Sequence, residues 1–139
     1  MQLKQLDLPG GGLLTVYLRD CVETMPLAME RPLVLVVPGG GYSHLSAREG
    51  DPVALQFAAA GYHTAVLRYA VGDDAAHGLP LRQLAAAIGL VRQNAAQWHV
   101  LPDKIAVCGF SAGGHLALSG AVLEVPGMAE PVSYTHLRA

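Results

Sequence analysis

Ile105-Ala106-Val107-Cys108-Gly109-Phe110-Ser111-Ala112-Gly113-Gly114-His115-Leu116 runs from a β-branched apolar segment through a glycine-flanked serine into a helix-prone one. The order strand, Gly-x-Ser-x-Gly, helix predicts a sharp turn that lifts the serine hydroxyl above the carboxyl end of a strand. Such a turn strains the backbone at the serine, and small flanking residues let neighbouring chain pass close by. It also sets the first N–H groups of a new helix beside the hydroxyl, so free donors and the positive end of the helix dipole lie where a negative oxygen would form. Ser111 is therefore the candidate nucleophile, and Ala112 the first candidate donor.

With sixteen glycines in 139 residues, this match is weak alone. Residues 33–42 supply a second, independent feature. Leu33-Val34-Leu35-Val36-Val37 is an unbroken apolar run, the mark of a strand covered on both faces in a parallel sheet, and it leads straight into Pro38-Gly39-Gly40-Gly41-Tyr42. Three successive glycines suit neither strand nor helix, but they let bare backbone N–H groups approach a ligand, as an oxyanion hole requires.

Together the two motifs resemble the α/β-hydrolase superfamily, in its carbohydrate-esterase and lipase-like branch, over roughly Leu13 to Glu124. The resemblance implies Ser111 as catalytic nucleophile, with an oxyanion hole formed by the N–H groups of Ala112, Gly40 and Gly41. Many relatives begin the glycine loop with histidine where this chain has Pro38. Esterases with proline there form a subgroup that includes acetylxylan-type and feruloyl-type enzymes. The activity implied is hydrolysis of a carboxylic ester, of the kind found on acetylated carbohydrate. Two alternatives stay open: a peptidase or amidase with the same turn, and a non-catalytic relative that uses the cleft to bind a ligand.

Composition agrees with a large buried sheet in a single domain, since 52% of residues are hydrophobic and only 14% charged. A net charge of −2 without a basic cluster argues against nucleic acid as partner. Apolar runs are strand-length, short of the ~20 residues that span a bilayer. No secretory h-region follows Met1, so a cytoplasmic location is expected. No His, Cys and Asp spacing fits a metal site, and neither metal nor cofactor is expected. Oligomeric state is not legible. Cys108 is expected as a buried apolar residue and Cys21 as unpaired.

Strands at Leu3–Leu8 and Leu13–Leu18 form an antiparallel hairpin around Pro9-Gly10-Gly11-Gly12 at a sheet edge. Asp51 caps a helix with Pro52 at its first position, ending at Gly61. A strand at His63–Arg68 is followed by an amphipathic helix from Leu79 to Trp98 and a strand at Lys104–Cys108. Right-handed crossovers would then stack a mostly parallel α/β sheet with helices on both faces, both glycine motifs falling at carboxyl ends of strands.

Val132 to Ala139 resembles one translated frame of a transposase sequencing adapter, GTC TCT TAT ACA CAT CTC CGA GCC, at all eight positions. It is read as a non-native tail on a truncated domain of residues 1–131, from which the later strands of the sheet are missing. The fold places the Asp or Glu and the His of a catalytic triad after the nucleophile, on loops that follow later strands, and beyond His115 on the adjoining helix the only histidine after Ser111 is His136, inside that tail. The expectation is a chain lacking its general base, hence inactive, with the Lys104–Cys108 strand left as an open edge prone to association. Tyr42 and His44 are candidate pocket residues beside the glycine loop, or else loop-packing and surface residues. His115, one helical turn past Ser111, is expected to pack or hydrogen-bond beneath the turn. His63, His77 and His99 read as structural, and Asp73 and Asp74 as solvated.

Overall fold

The computed structural model describes residues 1–123 and the strand at 133–137. Six strands form one sheet in the order β1-β2-β4-β3-β5-β6. β1 (Gln2–Asp7) and β2 (Leu13–Leu18) make the expected antiparallel edge hairpin, Leu6 facing Leu14 and Leu3 facing Tyr17. β3 (Arg31–Val37), β4 (His63–Arg68) and β5 (Val100–Phe110) are mutually parallel through β3.

Alternation along β3 builds two cores. Leu33, Leu35 and Val37 face one side, where Leu84, Ile88 and Val91 of α2 (Leu79–Gln93), Trp98 of α3 (Ala95–Trp98) and Leu116 of α4 (Ala112–Val122) cover them. Val34 and Val36 face the other side with Val66, Cys108 and Ala54 of α1 (Asp51–Ala59). Helices on both faces are what a strand apolar on every residue demands. Burial pushes the Cys108 thiol pKa up, and both cysteines are free. No described helix is long and apolar enough to cross a membrane.

Three expectations change. The expected helix from Leu79 to Trp98 breaks at Asn94, whose side-chain amide donates to Leu90 O at 2.8 Å. Asp51 does not cap α1: its carboxylate accepts from the Tyr17 hydroxyl at 2.9 Å and pairs with Arg68 at 2.9 Å, and these partners on β2 and β4 outcompete a local cap. The third concerns the sheet edge. The expected open edge of β5 is paired: β6 (Ser133–Leu137) lies parallel to it, Ala106 opposite Ser133 and Phe110 opposite Leu137. The free N–H and C=O groups of a strand edge accept any segment able to extend, whatever its origin. The junction at Val132 lies outside the described residues.

His63 is fully buried in β4 and structural, as expected. Its Nδ1 accepts from Arg19 N–H at 3.0 Å and its Nε2 lies 3.1 Å from His99 O, so the neutral Nε2–H ring satisfies both partners. Desolvation, chiefly, lowers its pKa below the usual 6.5, with the nearby charges of Arg31, His99 and Arg19 adding to the effect. A folded-state pKa below the unfolded one means the unfolded chain binds the proton first. Stability is then full above about pH 6.5 and is lost as pH falls through the interval down to the depressed folded value. Urea unfolding at a series of pH values should show this acid-side loss, and His63→Gln, uncharged throughout, should diminish it.

Candidate active site

Ser111 sits between β5 and α4 with φ 51° and ψ −115°, a strained conformation for a residue bearing a Cβ. Packing maintains it. At Gly113 an added Cβ would lie 2.0 Å from Val37 O and 2.5 Å from Pro38 O, so the start of α4 rests directly on the end of β3. Ser111 is exposed, and its hydroxyl enters no hydrogen bond among the described residues.

The parallel register brings the second motif to the same place. Val37 lies opposite Gly109, so the residues that follow, Pro38-Gly39 and Phe110-Ser111, leave the sheet side by side. A Cβ built on Gly39 would stand 3.1 Å from Ser111 Cβ and 2.6 Å from Phe110 O. Gly39 is pinned at both ends, its N–H donating to Glu49 Oε1 at 3.1 Å and its carbonyl accepting from Ser46 N–H at 2.8 Å. Gly40 (φ 138°) turns the loop, and its carbonyl accepts from Ser43 N–H at 3.0 Å and from the Ser43 hydroxyl at 2.9 Å. Among the described residues no hydrogen bond takes the N–H of Gly40, Gly41 or Ala112. The Gly39 amide, by contrast, is committed to Glu49.

Glu49 has no counterpart in the sequence reading. Ser46-Ala47-Arg48-Glu49 has the spacing of a helix-start pair, yet the carboxylate turns toward the glycine loop. Glu49→Ala would strand the buried Gly39 N–H, at about 1–3 kcal/mol for an unpaired donor, while Glu49→Gln keeps an acceptor. Urea midpoints should fall for the alanine variant and stay near the parent value for the glutamine variant.

An aromatic cluster braces the loop from the α2 and α4 side. The Tyr69 hydroxyl donates to Pro38 O, and desolvation, then Tyr42 and Glu49, push its phenol pKa far above the ordinary value. Tyr42 (φ 62°) meets Tyr69 edge-on with centroids 5.9 Å apart, and its carbonyl accepts from Gly72 N–H at 2.6 Å. Burial raises the Tyr42 pKa, so it stays a neutral phenol at neutral pH. Its hydroxyl is hydrogen-bonded to His115 Nδ1 at 2.8 Å. His115, exposed on α4, is thus engaged by Tyr42. His44 is exposed with Nδ1 3.1 Å from the Ser43 hydroxyl. His77, Asp73 and Asp74 are exposed in the loop before α2. No described histidine is hydrogen-bonded to Ser111, and the side chain of His136 lies outside what the structure describes.

A strained serine on a strand-to-helix turn, set against a glycine loop from the neighbouring parallel strand, defines an α/β hydrolase. The chain belongs to the BD-FAE family, whose model matches residues 22–134, all but the last three of them before Val132. It is 34% identical over 97 residues to endo-1,4-beta-xylanase B of Butyrivibrio fibrisolvens, a stretch covering 68% of this chain and 15% of that protein. It is likewise 34% identical over 87 residues to an acetylxylan esterase of Xylanibacter ruminicola, covering 60% of this chain and 18% of the relative. Among solved structures, MGS-M1, an α/β hydrolase from a Medee basin deep-sea metagenome library, superposes with a TM-score of 0.81 at 39% identity, over 95% of this chain and 56% of that one. The chain thus spans about half of that solved chain and under a fifth of these two curated relatives.

Proposed function

We propose that residues 1–131 are part of a serine carboxylic-ester hydrolase acting on acetylated carbohydrate, and that 132–139 are a non-native tail. The observation that supports this reading is the close approach of Gly39, the first glycine of the loop, to the strained Ser111, where a Cβ built on Gly39 would stand 3.1 Å from Ser111 Cβ. The kinship with an acetylxylan esterase and with a xylanase supports the substrate class.

In the intact enzyme Ser111 Oγ attacks the ester carbonyl carbon while a histidine supplied beyond this chain takes its proton. The carbonyl oxygen becomes an oxyanion and accepts hydrogen bonds from the N–H groups of Ala112, Gly40 and Gly41, which carry no other hydrogen bond among the described residues. The C–O bond to the alcohol then breaks, the histidine returns the proton to the leaving alkoxide, and water releases the acetyl group from Ser111 by the same sequence. Glu49 and Tyr69 take no part in bond-making; they fix the loop that carries the donors.

The test compares two proteins. A fluorophosphonate should label Ser111 in the intact enzyme, which should turn over p-nitrophenyl acetate, while this 139-residue chain does neither. Turnover by the chain alone would contradict the missing base, and an intact enzyme that neither labels nor turns over ester would contradict the hydrolase reading.

A further inference from the structure

A cavity of about 610 Å³ opens between the start of α2, the loop before it and α4, with walls that include Ala76, Pro80, Leu81 and Leu116. Ser111 does not line it. Two residues of the site do, Tyr42 and His115, and they are the pair joined at 2.8 Å with their rings edge-to-face at 5.8 Å. Tyr42 follows the glycine loop that abuts Ser111, and His115 lies one helical turn beyond it.

We infer that the Tyr42–His115 bridge is a specificity barrier, which closes a ready-made apolar cavity to the acyl group and restricts the enzyme to short acyl esters. The inference rests on Ser111 as the nucleophile. The cavity is large and apolar enough for a hexanoyl chain, and burial of each added methylene would favour the longer ester about fourfold once the way is open. Selectivity for a small acyl group then comes from a built obstruction rather than from lack of space. Tyr42 is anchored at its carbonyl by Gly72 N–H and at its ring by Tyr69, so removal of the histidine side chain leaves the glycine loop braced.

The experiment measures kcat/KM for p-nitrophenyl acetate, butyrate and hexanoate with the intact enzyme and its His115→Ala, His115→Asn and Tyr42→Phe variants, with fluorophosphonate labelling of Ser111 in each. The parent should favour acetate. His115→Ala should raise the hexanoate-to-acetate ratio about 10- to 100-fold. Tyr42→Phe, which loses the bond and keeps the ring, should raise it less, and His115→Asn, which retains a hydrogen-bonding group, should stay near the parent. A ratio unmoved in both His115→Ala and Tyr42→Phe while Ser111 still labels overturns the barrier and leaves the nucleophile standing. A parent enzyme that hydrolyses hexanoate as fast as acetate overturns it too, and absence of both labelling and turnover in the parent removes the nucleophile and the barrier with it.

Discussion

Ser111→Ala in the intact enzyme is expected to lower kcat by about 10⁶-fold, the order of loss seen when a serine hydrolase is deprived of its nucleophile. That corresponds to about 8 kcal/mol of transition-state stabilisation. The fold should survive, because Ser111 is exposed and an alanine there carries the same backbone strain at φ 51°. Ser111→Gly separates the two costs. It is equally inactive, yet it releases strain of about 1–3 kcal/mol and should unfold at higher urea than the parent. A measurable kcat in Ser111→Ala well above the background of the oxyanion hole would move the chemistry elsewhere.

The largest effect on stability is expected at Gly113. A methyl group there would meet Val37 O at 2.0 Å and Pro38 O at 2.5 Å, and both obstacles are backbone at the end of the central strand β3. Neither a rotamer change nor a flexible neighbour can relieve the clash, so α4 must shift away from the sheet. Gly113→Ala is expected to cost about 3 kcal/mol or more, the upper range for overpacking, and to lower the urea midpoint by about 1 M or more. The same shift would carry the Ala112 amide away from the glycine loop, so residual activity in refolded material should fall even where structure is retained. A midpoint within a few tenths of a molar of the parent would mean that the turn is looser than its contacts imply.

The parallel core of this fold is legible because its strands are apolar on successive residues, as in Leu33 to Val37, and because glycine runs mark where the chain must turn at close quarters. Both motifs lie at strand ends, and the register of Val37 with Gly109 then follows from packing the two strands side by side. What the sequence leaves hidden depends on partners distant along the chain. The Tyr42–His115 bond joins residues 73 positions apart, and the Glu49 contact with Gly39 replaces a local pairing that its spacing suggests. Asp51 reads as a cap until Tyr17 and Arg68 claim its carboxylate. Pairing of β6 with β5 was equally opaque, since an edge selects its neighbour by open hydrogen-bonding groups and carries no pattern that names it.

The central claim is that Ser111 and the glycine-loop amides act on one substrate oxygen. A crystal structure of the intact enzyme carrying a covalent phosphonate on its nucleophile tests it most directly. The account predicts phosphorus bonded to Ser111 Oγ, with the phosphoryl oxygen about 2.7–3.1 Å from the nitrogen of Ala112 and from that of Gly40 or Gly41. An adduct on another residue, or a phosphoryl oxygen turned to solvent with all three amides unengaged, would contradict it.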